Sequence, residues 1–348
     1  MDRPRHIPEA SFVDRPATIA VRAPGRLHLG FLDPAGSLGR RFGSLGLVIS
    51  GFETQVEISA SPFDQVTASG PATQAEIERA ATCVRLLRAH SGRSEPLHLR
   101  LLEVLPAHVG FGSGTQLALA IGRAFALWHG LSVPTATLAQ WLGRGLRSGI
   151  GVAGFDHGGL IVDGGPGANG APAAVLSRIA LPEAWRVLIV QDSAQKGLSG
   201  DDEKQRIAGL PPLPRALAAD ICHQVLMRVL PGAATADFAP FAAGVRRIQQ
   251  VLGEHFAPAQ GGRVFASEAV GGLLGWVLQH RAEHVAALGQ SSWGPTGFAI
   301  LPSQTRAEAA IDAMRAANIV APSLTLRVVS GRNAGATLLD RRLEVPMS

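Results

Sequence analysis

Apolar and polar residues alternate along several stretches of the chain, and this alternation predicts β-strands with one buried face. Other stretches repeat apolar residues at helical spacing, over 73–90, 117–127 and 134–142. The strands predicted in the N-terminal half cover 17–22, 27–31, 47–50, 52–60 and 97–104. This order of strands and helices is typical of a two-layer α+β domain.

The C-terminal half continues the mixture of strands and helices. Helical periodicity covers 213–230, 238–252, 266–288 and 307–317, and short apolar runs predict strands over 185–191, 298–301 and 324–329. A stretch rich in glycine, proline and alanine, 164–174, predicts a loop between the two halves. We therefore expect an α+β fold with one domain over 17–170 and a second over 171–348.

A glycine-rich loop precedes the second predicted helix. Its three glycines, Gly110, Gly112 and Gly114, let the backbone approach a ligand closely. The start of the helix that follows favours an anion such as a phosphate. The hydroxyls of Ser113 and Thr115 add donors beside it. A plain glycine-rich turn with a Ser or Thr helix cap stays open as the alternative.

Charged residues in two N-terminal segments are further candidates for holding an anion. In the strand over 27–31 and just before it, Arg26 and His28 are placed to point into a pocket, although a surface strand with solvated side chains fits the same pattern. Arg40 and Arg41 follow in a glycine-rich hairpin. A guanidinium offers paired donors to a phosphate or a carboxylate, but a solvated hairpin tip stays open.

A second glycine-rich segment runs from 143 to 165. It contains Arg144, Arg147 and Ser148, and a glycine-rich backbone beside two arginines can form an anion-binding nest. Asp156 lies in the same segment, before a Gly-Gly pair and an apolar strand. The residues alone leave open whether Asp156 has a structural or a functional role.

Three later segments hold further candidates. Lys196 can reach a phosphate, and the acids at 201–203 can hold Mg²⁺, although the helix dipole also explains acids in a first helical turn. Trp293 can stack on an aromatic ring or pack into the core. Asn333 can contact a ligand or form a turn, which asparagine does more often.

Composition limits the classes of ligand and location. The chain has 348 residues, 46% of them apolar, and a net charge of +5, which suits anionic ligands. Its arginines are scattered, so phosphorylated small molecules are favoured over nucleic acid. Cys83 and Cys222 are too few for a disulfide scaffold or a zinc site. Residues 1–16 lack the apolar core of a signal peptide, and no apolar run reaches roughly 18 residues, so we expect a cytoplasmic protein without a membrane span.

These motifs resemble those of the GHMP superfamily, which includes galactokinase, homoserine kinase and mevalonate kinase. The loop is similar to their Pro-x-x-x-Gly-Leu-Gly-Ser-Ser-Ala motif, with Gly114-Thr115-Gln116 replacing Ser-Ser-Ala. Residues 23–29, Ala-Pro-Gly-Arg-Leu-His-Leu, resemble the first motif of the superfamily. Residues 143–151 resemble the run Gly-Arg-Gly-x-Arg-Ser-Gly-Ile-Gly of one branch, the beta-ribofuranosylaminobenzene 5'-phosphate synthases (beta-RFAP synthases). The segment Ser291-Ser292-Trp293 replaces the third glycine-rich motif of the kinases and resembles the same branch.

The resemblance implies a GHMP-kinase-like α+β fold, with an N-terminal half like domain 2 of ribosomal protein S5 and a ferredoxin-like C-terminal half. It also implies a decarboxylating phosphoribosyltransferase. Beta-RFAP synthases join 4-aminobenzoate to phosphoribosyl pyrophosphate (PRPP), releasing CO₂ and pyrophosphate, in tetrahydromethanopterin biosynthesis. We expect the same reaction here, with Mg²⁺ accompanying PRPP and a homodimer as the assembly. A close analogue of the acceptor, such as 4-hydroxybenzoate, stays open.

In this interpretation Arg26, Arg147 and Asp156 carry catalysis. The residues expected to contact substrate are His28, Arg40, His108, Gly110, Gly112, Ser113, Gly114, Thr115, Gln116, Arg144, Ser148, Lys196, Ser291, Ser292, Trp293 and Asn333. Two other functions stay open: an ATP-dependent GHMP-family small-molecule kinase, and a non-enzymatic regulator that binds a nucleotide or phosphate. The departure from Ser-Ser-Ala in the loop argues against the kinase, and the presence of the arginines and Asp156 argues against the regulator.

Overall fold

The computed structural model describes residues 17–70, 72–167, 170–195, 197, 206, 209–280 and 286–342. The strands in these ranges are β1 Thr18–Asp33, β2 Phe42–Ala60, β3 Gln65–Ala68, β4 Leu97–Glu103, β5 Leu160–Asp163, β6 Val175–Ile179, β7 Arg186–Asp192, β8 Ala287–Gln290, β9 Thr296–Leu301, β10 Leu324–Ser330 and β11 Thr337–Asp340. The α-helices are α1 Gln74–Ser91, α2 Ser113–Trp128, α3 Thr135–Trp141, α4 Ile150–His157, α5 Arg215–Gln224, α6 Leu230–Ala234, α7 Phe238–Phe256, α8 Glu268–His280 and α9 Gln304–Ala316. A π-helical turn, Val225–Val229, joins α5 to α6.

The strands form two sheets, each covered by helices. The first sheet has the order β11-β1-β2-β4-β3, and β5 joins it beside β2 and pairs with β6. On one face of this sheet, buried side chains such as Val21 and Ile58 meet the apolar stripe of α2, which includes Leu117 and Ile121. The second sheet is antiparallel, in the order β10-β7-β9-β8, and packs against α8 and α9. The α+β class predicted from the sequence is therefore confirmed.

One apolar core joins the two sheets. It contains Leu29 of β1, Ile189 of β7 and Ile248 of α7, all of them buried. Because protein interiors are close-packed, a core shared in this way fixes β1 relative to α7. The seam between these two elements is where the candidate site forms.

β1 changes register twice along this seam. Its pairing with β2 shifts between Pro24 and Arg26 and again between His28 and Gly30. Such shifts mark β-bulges, which re-aim side chains and are common beside active sites. Arg26 and His28 lie between the two shifts, where Arg26 contacts the glycine loop and His28 faces α7.

Two predicted segments differ from the structure. The periodic run over 266–288 predicted one helix, but α8 ends at His280 and β8 begins at Ala287. β8 pairs with β9, so strand pairing overrides the helical pattern of that apolar run. The run after Gly143 predicted only a backbone nest, whereas α4 begins within it at Ile150. Close packing of α4 against β2 offsets the low helix propensity of its glycines.

The domain boundary near 170 stays a prediction. β6, which follows that point, pairs with β5, and β11 near the C-terminus pairs with β1. The first sheet therefore takes strands from both of the predicted domains.

Candidate active site

The glycine loop forms a tight turn directly before α2. Gly112 is the last residue before the helix and has a φ of +74°, a left-handed conformation that favours glycine. A Cβ at this position would lie 2.9 Å from the guanidinium carbon of Arg26. A larger residue at Gly112 would therefore strain the backbone and displace Arg26 from the start of the helix.

Arg26 is anchored to the loop by its backbone and by its side chain. Its N–H donates to the Phe111 carbonyl at 3.1 Å, and a guanidinium nitrogen donates to the Gly110 carbonyl at 3.0 Å. The helix that begins at Ser113 presents its first N–H groups beside this guanidinium. A fixed guanidinium at a helix N-terminus suits a phosphate or a pyrophosphate.

The predicted third motif packs onto this loop through Ser291 and Ser292. The Ser291 hydroxyl donates to the Gly110 carbonyl at 2.7 Å and accepts the His28 N–H at 3.0 Å. The Ser292 N–H donates to the His28 carbonyl at 3.2 Å. Ser292 has a left-handed φ of +56°, a strained conformation that clusters at functional sites. Three motifs that are distant in sequence therefore meet around one strand.

The glycine-rich run adds a second helix start and another cation. The Gln116 side-chain amide donates to the Gly151 carbonyl at 2.9 Å, which holds the start of α4 against the start of α2. A Cβ on Gly114 would lie 3.5 Å from a terminal nitrogen of Arg144. The Nε of Arg144 is buried and has no hydrogen-bond partner in the ranges that the structure describes. Cations thus flank the loop on two sides.

A buried carboxylate, Asp163, organises the turn that leads into α4. It accepts hydrogen bonds from the N–H groups of Gly149 and Gly165, each at 2.8 Å, and from the Ser148 hydroxyl at 3.2 Å. Burial raises the pKa of Asp163, and these hydrogen bonds act in the opposite direction. The sequence analysis assigned no role to Asp163; the available signal was an acid at the end of an apolar strand. Ser148 was predicted to bind substrate, and its hydroxyl here bonds Asp163.

His28 lies between these cations and the C-terminal half. Burial, and after it the charges of Arg26 and Arg147, lower the pKa of His28 from 6.5 to about 3. The imidazole is therefore neutral at physiological pH. Both predicted catalytic arginines therefore act electrostatically on His28.

An aromatic recess opens beside His28, between β1 and α7. About 50 Å³ of it is accessible to the centre of a water molecule. The rings of Phe256 and Trp293 pack with centroids 4.7 Å apart, and His28 meets Phe31 edge-on at 4.6 Å. Other lining residues are Gln249, Leu252, Gln260, Phe265 and Gln290. Walls of this kind suit a planar aromatic ligand. Trp293 was predicted either to stack on a ligand or to pack in the core; it is buried and also lines this recess.

Asp156 lies toward the opposite end of α4 from the glycine loop, and its role beside the substrate stays a prediction. It is in the last turn of α4, while the end near the loop begins at Ile150. At 1.5 Å per residue the two positions are roughly 9 Å apart along the helix. The Asp156 side chain is exposed and accepts a hydrogen bond from the Thr135 hydroxyl at 2.6 Å. The carboxylate therefore holds the start of α3.

Asn333 and Arg40 also make contacts outside the site. The Asn333 amide accepts the Leu181 N–H at 2.8 Å and donates to the Leu181 carbonyl at 2.9 Å, so both of its ends hold a loop. Its contact with substrate stays a prediction. Arg40 is exposed and donates to the Gly165 carbonyl at 3.5 Å. His108, two residues before the first glycine of the loop, is exposed with a left-handed φ of +63°.

Some of the predicted phosphate and metal contacts cannot be placed on this site. Lys196 and the acids at 201–203 lie outside the described residues. Within the described ranges, no three His, Cys, Asp or Glu side chains gather to hold a metal ion. Ser113 and Thr115 are half-buried at the start of α2, where their hydroxyls can add to an anion site. None of the described helices is both long and apolar enough to cross a membrane.

Comparison with known proteins identifies the fold. The family model for the GHMP kinases N-terminal domain matches residues 77–159, and the model for the GHMP kinases C-terminal domain matches residues 230–320. Homoserine kinase from Cytophaga hutchinsonii superposes with a TM-score of 0.64 at 16% identity, over 96% of this chain and 100% of its own. Mevalonate diphosphate decarboxylase from Staphylococcus aureus gives 0.67 at 13% identity, over 94% and 99%. At these identities the structural likeness shows the fold alone.

Curated relatives identify the branch. Beta-ribofuranosylphenol 5'-phosphate synthase from Archaeoglobus fulgidus is 34% identical over 298 residues, which are 82% of this chain and 88% of the relative. The protein of the same name from Methanothermobacter thermautotrophicus is 29% identical over 337 residues, 92% and 98% of the two chains. The kinase alternative receives no better support from these matches. The chain is therefore an enzyme of the pentosyltransferase type that has the GHMP kinase fold and belongs to the beta-ribofuranosylphenol 5'-phosphate synthase family.

Proposed function

We propose that this enzyme transfers the phosphoribosyl group of PRPP to the carboxylate-bearing ring carbon of a 4-substituted benzoate, as a step of tetrahydromethanopterin biosynthesis. The bond between ribose C1 and the pyrophosphate oxygen breaks, and pyrophosphate leaves with the electron pair. A bond forms between ribose C1 and the ring carbon. CO₂ then leaves that carbon, and the electrons of the broken bond return to the ring. The products are a ribofuranosylaryl 5'-phosphate, pyrophosphate and CO₂.

The observation that carries this proposal is a cationic cradle and an aromatic recess that meet at His28. The cradle consists of loop 110–115 with Arg26, Arg144 and Arg147. The recess is the aromatic-walled cavity between β1 and α7. PRPP presents dense negative charge and a benzoate presents a flat ring, so the two substrates match the two parts of the site. Ribose C1 and the ring carbon have to come together at the cradle, where the recess opens toward it.

The cradle supplies what departure of pyrophosphate requires. Negative charge accumulates on the leaving group in the transition state, and fixed donors stabilise it most at that moment. Arg26 is already held by Phe111 and Gly110, so little reorganisation is needed when the substrate reacts. Arg144 adds a buried guanidinium nitrogen beside Gly114. The apolar walls of the recess keep water from the electron-poor ribose carbon.

The substitution on the ring needs no base to remove a carbon-bound proton, because CO₂ is the departing group. It does need an electron-donating substituent opposite the reacting carbon to stabilise the intermediate. A 4-amino and a 4-hydroxy group both meet this requirement. We predicted 4-aminobenzoate from the sequence, whereas the relatives are named for a ribofuranosylphenol, the product that 4-hydroxybenzoate would give. Both acids belong in the first assay.

Mg²⁺ stays part of the proposal as a companion of PRPP. Among the described residues, Asp163 is saturated with hydrogen bonds and Asp156 lies away from the loop, so these acids do not fit a metal held by the protein. Hard oxygen ligands on the pyrophosphate would hold the ion, with the Ser113 and Thr115 hydroxyls nearest on the protein. We derive no catalytic step through it. Cytoplasmic location and a homodimer also stay proposals, and light scattering of the purified enzyme tests the second.

The experiment combines PRPP with acid labelled in its carboxyl carbon. We expect labelled CO₂ and pyrophosphate in equal amounts, a ribofuranosylaryl 5'-phosphate in the mass spectrum, and loss of turnover in excess EDTA. Label retained in the product would overturn the decarboxylating reaction. ADP formed from ATP and a small-molecule alcohol would favour the kinase. Full turnover in excess EDTA would contradict only the requirement for Mg²⁺ and leave the proposed reaction in place.

A further inference from the structure

His28 lines the aromatic recess, and one of its ring nitrogens has no partner among the described residues. The residue exposes 5% of its surface, and its Nε2 has no hydrogen-bond partner among the residues that the structure describes. Buried polar atoms without a partner are rare in folded proteins, and each one needs an explanation. A ligand in the recess would supply the missing partner.

The amide groups of the recess are already engaged with protein atoms. The Gln249 amide donates to the Leu29 carbonyl at 2.6 Å and accepts the Gln290 N–H at 2.8 Å. The Gln290 amide donates to the Gln260 side-chain oxygen at 2.9 Å. Of the described side chains in these walls, His28 is the one with a buried polar atom left to bond a ligand.

The hydrogen bonding of the His28 ring determines what this nitrogen can do. A hydrogen bond between the ring and the His28 backbone raises the pKa of the imidazole, so the ring is the donor in that bond. Because Nε2 is unpartnered, the donor is Nδ1. In a neutral imidazole the other nitrogen then carries a lone pair. The Nε2 of His28 is therefore a hydrogen-bond acceptor.

An acceptor at this wall distinguishes the two ends of a benzoate. The carboxylate has only acceptor atoms, so it would meet the lone pair of His28 unfavourably. A 4-hydroxy or 4-amino group carries a hydrogen that it can donate. Attack on ribose C1 occurs through the face of the ring, so the ring lies across the ribose and both substituents point sideways. The 4-substituent can therefore reach a side wall while the reacting carbon stays at the cradle.

We propose that His28 Nε2 accepts a hydrogen bond from the 4-hydroxy or 4-amino group of the acceptor, and thereby orients the ring and selects acids whose 4-substituent carries a hydrogen. This inference rests on the proposed function. A hydrogen bond at this position also increases electron donation into the ring, which favours attack by the carbon opposite. His28 holds the hydrogen without removing it, since its imidazole is a weak base.

The test compares ligands with and without that hydrogen in wild type and in a His28→Leu variant. We expect wild type to bind 4-hydroxybenzoate roughly tenfold more tightly than 4-methoxybenzoate or benzoate, the effect of one hydrogen bond to a buried group. In His28→Leu the three dissociation constants should converge. His28→Gln, which keeps an acceptor near the same place, should restore part of the preference. His98→Leu, at a strand histidine that bonds Thr67, is the matched control and should retain it in full.

Two measurements make every outcome decisive. Dissociation constants come from quenching of tryptophan fluorescence, and inhibition constants come from competition during turnover with PRPP. An unchanged ligand preference in folded His28→Leu would overturn the role of His28 while turnover by wild type upholds the proposed function. A rise in the KM for PRPP alone would assign Nε2 to a ribose hydroxyl instead. If no benzoate binds or competes, both the inference and the proposed acceptor class are wrong.

Discussion

The cradle and the aromatic recess adjoin one another, yet the chain builds them in opposite ways. The glycine loop of the cradle is formed by consecutive residues, with Gly110 and Gly112 in left-handed conformations directly before a helix. The recess is assembled from β1, α7 and the segment around Gln290, which only the folded chain brings together. The cradle is cationic and depends on the backbone, whereas the recess is apolar and depends on side chains. A substitution in the cradle should therefore change mainly the binding of PRPP, and a substitution in the recess mainly the binding of the aromatic acid.

The most damaging substitution should be Gly112→Val. It places a branched side chain at a φ of +74° and against the Arg26 guanidinium, so both the turn and the cation move. We expect affinity for PRPP to fall by roughly a hundredfold or more, the scale of losing one preorganised donor. Affinity for 4-hydroxybenzoate should stay within about threefold, because the recess is built by other elements.

Gly92→Val is the matched control for that experiment. It places the same branched side chain at a left-handed φ of +71° after the end of α1, outside the cradle and in open space. We expect PRPP affinity close to wild type. Titration calorimetry with each substrate, together with circular dichroism to check folding, measures the contrast. An equal loss for both substrates in folded Gly112→Val would contradict the separation of cradle and recess.

A smaller effect should follow from Arg26→Lys. Lysine keeps the charge but loses the planar fork that bonds Gly110 and faces the start of α2. We expect kcat/KM for PRPP to fall about tenfold to a hundredfold, since hydrogen bonds to charged groups contribute about 1.5–3 kcal/mol. The KM for the aromatic acid should barely move. Arg85→Lys, on the exposed side of α1, is the control for replacing an arginine outside the site. Wild-type kinetics in Arg26→Lys would show that Arg26 has only a structural role.

The same contrast explains what sequence could predict. The glycine loop, Arg26 and the strand that carries His28 follow from local patterns, and all of them lie at the site. Most of the recess could not be predicted: Trp293 was a candidate to stack on an aromatic ring, but Phe256 and Gln260 lie beyond the helix predicted over 238–252. Asp156 was a candidate because GHMP kinases often have a functional acid near this position, and the sequence did not show that a helix begins at Ile150 and places Asp156 in its last turn. Burial and partners, which only the fold supplies, separate Asp156 from Asp163.

The junction of the two regions should respond to pH through His28. The unfolded chain binds a proton on this histidine near pH 6.5, while the folded state resists it until about pH 3. The contribution of neutral His28 to folding stability is therefore fully present above pH 6.5, and it is lost as the pH falls toward 3. Between pH 7.5 and pH 5, the unfolding free energy of wild type should fall by on the order of 2 kcal/mol more than that of His28→Gln. Urea unfolding of both proteins at the two pH values measures this, and a difference independent of pH would mean that His28 is solvated.

The two carboxylates of the glycine-rich run give the finest test of where the cradle ends. In Asp163→Asn an amide replaces one oxygen that now accepts from Gly149 or Gly165, so donors face each other in a buried site. We expect a loss of about 1–3 kcal/mol in unfolding free energy and a several-fold fall in turnover, because the turn beside Arg147 shifts. Asp156→Asn should change turnover by less than about twofold, since an asparagine oxygen can still accept from Thr135 at an exposed position. Steady-state kinetics and thermal unfolding of the two variants side by side decide the matter. A large loss of turnover in Asp156→Asn, with stability and PRPP affinity unchanged, would return that acid to the catalytic site and extend the cradle along the whole of α4.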